Sequence, residues 1–207
     1  MVVVGLAIAY APLYINPLLR WAEIESTPTG PPSVLLWNWL ATAALLAFIL
    51  TVERRNLASI ALRRPKWQDI AWAIVFWIVA TVASSLLNAV LPIAGTSGFT
   101  TIMALPLPVI VAIVLTTATT EEILFRGYPV ERLSELTGSA ALGVGISFIV
   151  FLLPHVGFFG PTWLVTNGTS VVLLYVLYVW RRNLWACMTM HLLGNALLLL
   201  PATGLVE

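Results

Sequence analysis

Charge is scarce in this chain. Only 9% of its 207 residues are Asp, Glu, Lys or Arg, against roughly 25% in soluble globular domains. So few charges do not make a water-facing surface. Cysteine is scarcer still. The single Cys187 excludes an internal disulfide and any multi-cysteine metal site. Histidine occurs twice, at His155 and His191, so imidazole chemistry rests on those two side chains. H-E-x-x-H is absent, as are sequence repeats and low-complexity tracts. The net charge is +1 and the basic residues are spread along the chain, so no nucleic-acid partner is expected.

Apolar sequence is abundant. Hydrophobic residues make up 60% of the chain, and mean hydropathy is +0.97. Repeated apolar runs match the roughly 17–25 residues that cross a bilayer as helix. The expected fold is therefore all-α: a polytopic transmembrane bundle of about seven spans, forming one integral-membrane domain over residues 1–207. The spans are expected at 2–19, 34–52, 68–91, 107 onward into a charged stretch, 139–157, 163–180 and 184–200. Pro12 and Pro17 are expected to kink the first span or end it early. The first run lacks a basic n-region and an A-x-A-type site before a polar domain, so it reads as a retained span rather than a leader. Between spans lie a polar loop at 20–33, a basic loop at 53–67, a Gly/Thr/Ser loop at 93–101, a short amphipathic connector at 127–138, and a very short loop at 181–183. Trp21, Trp37, Trp67, Trp163, Trp180 and Trp185 flank spans and fit an interfacial aromatic belt.

With the N-terminus inside, the basic residues of the 2–3, 4–5 and 6–7 loops all face the cytoplasm. Only Arg20 falls outside, beside Glu23 and Glu25. The positive-inside rule thus predicts a cytoplasmic N-terminus and an external C-terminus. The run from Arg54 to Lys66 reads most simply as that topology signal, with anionic lipid as a less specific reading.

The chain is organised around Thr116–Arg132, TTATTEEILFRGYPVER. Two adjacent carboxylates, Glu121 and Glu122, follow a long apolar run. An ionisable residue in a span costs about 2.5–3.5 kcal/mol on insertion scales, which marks it as functional by default. Glu122 and Arg126 have i, i+4 spacing and are expected to pair. Glu121, rotated about 100° away, is then free to face the bundle interior, with Thr116, Thr117, Thr119 and Thr120 lining a wet approach. His191 and Asn195 also share a helix face. A carboxylate, two imidazoles and a carboxamide inside a membrane point to hydrolysis. Glu121 is the candidate base for a water, and His155 would share or orient that water. His191 and Asn195 would donate to a developing oxyanion.

EEILFRG at 121–127, F-x-x-x-H at Phe151–His155 and H-x-x-x-N at His191–Asn195 occur in this order. Over residues 55–200 the chain resembles the CPBP family of CAAX proteases and bacteriocin-processing proteins, whose eukaryotic relatives include the Ras-converting CAAX prenyl protease 2 type. IALRRPKWQDI at 60–70 also resembles a basic loop found before that family's core spans. The resemblance implies an intramembrane endopeptidase acting on a membrane-associated protein or peptide, prenylated or not. It implies that Glu121 activates water with help from His155, and that His191 and Asn195 stabilise the oxyanion. Glu122 and Arg126 would be structural supports. A glutamic-type mechanism without cofactor is expected. The competing metalloprotease reading puts zinc on Glu121, His155 and His191, a thin ligand shell. Small size, compact loops and absent targeting signals fit a prokaryotic cell-membrane protein.

Two readings from other classes stand beside this one. A membrane scaffold or bacteriocin-immunity factor would bind without cleaving. A proton-coupled carrier would use Glu121 and the histidines as a relay, although no internal repeat supports it. The depths also conflict. At 1.5 Å per residue, His191 lies about 10 Å from its cytoplasmic helix end and His155 about 24 Å from Ser139. Glu121 is shallow if its span ends near Tyr128. A shared site therefore requires an irregular or strongly tilted fifth span, or a 4–5 connector that dips into the membrane.

Overall fold

A computed structural model of the chain describes residues 1–24, 30–91 and 97–202. Among these there is no β-strand, and seven helical stretches are long and apolar enough to cross a bilayer. The protein is an all-α, multi-pass integral membrane bundle. Glu25 of the first loop and the span-ending Pro92 lie outside the described residues.

α1 is Val2–Trp21. It runs through both Pro12 and Pro17 and does not end early. Each proline removes one helical donor, which membrane helices tolerate when neighbours re-satisfy the freed groups. Asn16, one residue before Pro17, ties α1 to the next span. Its amide donates to Ser33 Oγ at 2.8 Å and its oxygen accepts from Trp37 Nε1 at 3.1 Å. α2, Val34–Thr51, follows a 3-10 turn at Pro31–Ser33. α3 is Trp67–Val90. The stretch read as a Gly/Thr/Ser loop contains a short helix, α4, Ser97–Met103.

The fourth span differs most from its expectation. α5, Leu107–Glu121, passes into a π-helical turn at Glu122–Gly127 and continues as α6, Tyr128–Thr137. The expected connector is thus the last third of one 31-residue helical unit, Leu107–Thr137. At about 1.5 Å per residue that unit is about 46 Å long, longer than a ~30 Å hydrocarbon core. Its charged end, α6, bears Glu131, Arg132 and Glu135. Its charges make it read as a connector, yet of the three only Glu135 is exposed, while Arg132 and most of Glu131 are covered by their ion pairs. Its apolar face is buried in the bundle, with Tyr128, Val130 and Leu133 among the buried residues.

Gly138, at φ +67°, ends α6 in the left-handed conformation that glycine adopts without a Cβ penalty. The chain then reverses into α7, Ala140–Phe159, which packs along α6. α8 is Trp163–Arg181, α9 is Leu184–Ala196, and α10 is Leu199–Ala202. α3 packs on α8 and α9, and α5 packs between α2 and α9. The Leu107–Thr137 unit is therefore central, and it is much the most buried of the seven.

One end of the bundle is fastened by ion pairs. Arg132 Nη2 binds Glu53 Oε2 at 2.6 Å, and Arg55 Nη1 binds Glu135 Oε1 at 2.6 Å. Arg182 pairs with Glu131, and Arg181 Nη2 with Asp69 Oδ1 at 2.8 Å. The 2–3 loop, α6 and the 6–7 loop therefore meet on one side. Arg55 belongs to the run read as a topology signal, and it also holds the second loop against α6.

Candidate active site

Glu121 and Glu122 occupy the junction of α5 and the π turn, near the middle of the central helix. Both are buried. The π turn is locked by a polar group from α7: Ser147 Oγ–H donates to the Phe125 carbonyl, and Ser147 Oγ also lies 3.0 Å from Tyr175 Oη on α8. A π turn shifts the helical ladder, and this lock supplies a partner for a carbonyl in that shift.

Glu122 turns toward a cation cluster. Its Oε1 accepts from Arg126 Nη1 at 2.5 Å, the expected i, i+4 pair. The same oxygen lies 2.6 Å from His191 Nδ1 on α9. Arg126 is fully buried, its guanidinium held between two rings at 4.4 Å from the Phe151 centroid and 4.5 Å from Tyr175. Buried cations sit on aromatic faces because the ring quadrupole replaces part of their lost hydration. Here Phe151 and Tyr175 take that role from two further spans.

Glu121 points elsewhere. Its Oε2 is buried without a protein hydrogen-bond partner and stands 3.9 Å from His155 Nε2. That is too long for a direct hydrogen bond. His155 Nδ1 lies 2.7 Å from the Phe151 carbonyl, one turn earlier. A carbonyl only accepts, so Nδ1 carries a proton, and in the neutral ring Nε2 then presents its lone pair toward Glu121. Phe151 thus serves twice: its carbonyl fixes the His155 tautomer and its ring covers Arg126. Stacking fixes the imidazole plane, with Trp163 at 4.8 Å and 25° and Phe159 at 6.3 Å and 19°.

The depth conflict resolves through the connector. Thr137 lies sixteen positions after Glu121, about 24 Å along a helix, and His155 lies fifteen positions after Ala140, about 23 Å. The two runs leave the same Gly138 turn side by side, so Glu121 and His155 arrive level. α7 needs no break to reach the site. α9 starts deeper. The Leu184 N–H donates to the Ala61 carbonyl at 3.0 Å, and a Cβ on Gly127 would lie 2.7 Å from Leu184 Cδ1. From that level His191 is about 10 Å along α9 and Glu122 about 8 Å back along the central helix.

Asn195 lies one turn after His191. Its Nδ2 donates to Thr117 Oγ1 at 3.0 Å, and Thr117 stands one turn before Glu121. Glu121, Glu122, Arg126, His155, His191 and Asn195 are thus brought to one region of the bundle by three spans. The threonines divide. Thr117 faces the site, but Thr116 Oγ1 accepts from Trp39 Nε1 at 3.0 Å and Thr120 Oγ1 from Asn38 Nδ2 at 3.2 Å. These two fasten α5 to α2 rather than line a wet approach, and Thr119 turns to its own helix, donating to the Leu115 carbonyl at 2.9 Å.

Trp163 departs from the aromatic-belt reading. It is buried against His155 because the turn at 160–162 folds α8 back over the end of α7. Ser147 and Tyr175 carried no sequence signal, since a lone Ser or Tyr in an apolar run is common. Zinc on Glu121, His155 and His191 fits this arrangement poorly. Among the described residues no three His, Cys, Asp or Glu side chains are grouped to hold one ion, Glu121, His155 and His191 included.

Residues 103–197 match the family model described as type II CAAX prenyl endopeptidase Rce1-like. The matched stretch contains all six residues of the cluster. No curated protein matches the chain, and no solved structure does.

Proposed function

We propose that this multi-pass protein, whose residues 103–197 match the type II CAAX prenyl endopeptidase Rce1-like family model, cleaves a peptide bond by a glutamic-type mechanism centred on Glu121. The observation that carries the reading is the 3.9 Å separation between two acceptors, Glu121 Oε2 and His155 Nε2. A carboxylate and an imidazole lone pair do not bond each other. One water satisfies both, donating one O–H to each and leaving its own lone pair for a substrate carbonyl carbon.

In this scheme Glu121 takes a proton from the water as the C–O bond forms. The tetrahedral intermediate collapses as the C–N bond breaks, and Glu121 returns that proton to the leaving amine. His155 orients the water through Nε2. His191 Nε2–H and Asn195 Nδ2–H stabilise the oxyanion. For His191 to donate from Nε2, the Glu122–His191 pair must hold two protons, one on the shared Nδ1···Oε1 line and one on Nε2. Charge then balances, with Glu121 and Glu122 against Arg126 and the protonated His191. No metal is needed.

The substrate class that fits is a membrane-associated protein or peptide, and prenylation of its C-terminus is open to test. Loop charge supports a cytoplasmic N-terminus and external C-terminus. The scaffold or immunity reading lacks a use for a buried carboxylate with a free oxygen beside an oriented imidazole.

The test is cleavage by purified protein in detergent, offered prenylated and unprenylated peptides, with products read by mass spectrometry. Wild type and Glu121→Gln are compared with and without a strong chelator. We expect cleavage by wild type that survives chelation, and none by Glu121→Gln. Loss on chelation with rescue by zinc would overturn the metal-free mechanism. Well-folded wild type that cleaves nothing would favour the scaffold.

A further inference from the structure

A cavity of about 170 Å³ lies away from the catalytic cluster where the 2–3 loop, the start of α3 and the α8–α9 turn meet. Its lining is Arg63, Arg64, Lys66, Asp69, Arg181 and Asn183. Four of these six are cationic and one is acidic. That acid is already engaged. Asp69 Oδ1 accepts from Arg181 Nε at 2.8 Å, and Oδ2 accepts from the Lys66 backbone N–H at 2.8 Å. Arg64 and Lys66 are exposed and have no carboxylate partner among the described residues.

The walls are built rather than incidental. Asn183 is 1% exposed, and its Nδ2 reaches the Arg63 carbonyl at 3.3 Å and the Arg64 carbonyl at 3.5 Å. Arg63 Nη2 donates to the Arg181 carbonyl at 3.0 Å. These bonds engage the loop's backbone acceptors and hold the cations in a fixed concave arrangement. An anion entering it meets donors and little competing negative charge.

The level of the cavity in the membrane selects the anion. Trp67, Trp180 and Trp185 adjoin it in sequence and are all exposed, as expected at the headgroup boundary. Along the adjoining spans the outward faces are apolar and exposed: Val75 and Val79 on α3, Val172 and Val176 on α8. Acyl chains have a surface to lie on directly beside the charged pocket.

We propose that this pocket binds the phosphodiester headgroup of an anionic glycerophospholipid, as basic pockets between cytoplasmic span ends are suited to do. The site is independent of the peptidase reading.

The test is native mass spectrometry of the full chain released from detergent, titrated separately with phosphatidylglycerol, phosphatidylcholine and inorganic phosphate. Wild type should bind phosphatidylglycerol about 10-fold or more tighter than phosphatidylcholine, and inorganic phosphate should not displace it. Arg64→Gln with Lys66→Gln should weaken phosphatidylglycerol about 30-fold, the effect of two cations near a headgroup. Arg20→Gln with Arg54→Gln removes the same charge elsewhere and should leave affinity unchanged. Arg64→Lys with Lys66→Arg should bind as wild type. Equal affinity for the two lipids in wild type would overturn the proposal, and this arm needs no variant to fold. Equal losses in the two Gln variants would overturn it too, as would displacement of lipid by inorganic phosphate, which would mark a free-anion site.

Discussion

Glu122 Oε1 stands 2.6 Å from His191 Nδ1 while also holding Arg126, so the two adjacent glutamates have different tasks. Glu122 is the counter-charge of a buried cluster, and Glu121 keeps a free oxygen. Removing one partner of a buried ion pair typically costs about 3–5 kcal/mol because the other charge is left unpaired. Glu122→Gln should therefore unfold at clearly lower temperature than wild type in detergent, and should also lose activity. Glu121→Gln should lose activity with an unchanged or raised melting temperature. Equal melting of the two variants would contradict this division.

His155 depends on Trp163. The stacked indole and the Phe151 carbonyl together set the direction of Nε2. Trp163→Leu keeps an apolar side chain but removes the flat wall. A misplacement of about 1 Å in a catalytic constellation can cost about 100-fold. We expect kcat to fall about 10- to 100-fold with KM nearly unchanged, and Trp163→Phe to restore much of the loss. A change confined to KM would place Trp163 in substrate binding instead.

The π turn at 122–127 depends on Ser147. Ser147→Ala leaves the Phe125 carbonyl without its donor and Tyr175 with one partner fewer. An unmade buried hydrogen bond costs about 1–3 kcal/mol. The variant should melt earlier by that measure. Its kcat should fall as well, because Glu121 and Glu122 flank the turn. Full activity in a destabilised Ser147→Ala protein would show that the lock serves folding only.

Glu53 couples the ion-paired end of the bundle to pH. Burial pushes its carboxyl upward. Hydrogen bonds from Arg132 and Tyr128 and the charges of Arg132 and Arg55 outweigh that and hold it below the usual carboxylate range. A lowered folded pKa contributes stability that is complete above the unfolded value, about 4.3, and is lost as pH falls through the folded one. Glu53→Gln should thus be less stable than wild type at pH 7, and the gap should close below about pH 4. A gap that persists unchanged at low pH would mean that packing, not charge, holds this end.

Much was legible in the sequence. Length and hydropathy of each run give seven spans, because the bilayer fixes how much apolar helix is needed. The Glu122–Arg126 pair follows from i, i+4 spacing, and the freedom of Glu121 follows from the same helical geometry. The three motifs are legible because ionisable and amide groups are rare inside apolar spans, so each one stands out.

What the sequence alone left open were relations between spans. Depth was misjudged for Glu121 because the continuation of its helix through a π turn into α6 depends on burial against α7, not on local pattern. The same tertiary packing decides that His191 faces Glu122, that Asn195 meets Thr117, and that Trp163 leaves the interface to stack on His155. Serine and tyrosine carry no positional signal of their own in an apolar helix, and the interfacial signal of tryptophan does not hold for Trp163. Their roles here come from the neighbouring helix that each one reaches.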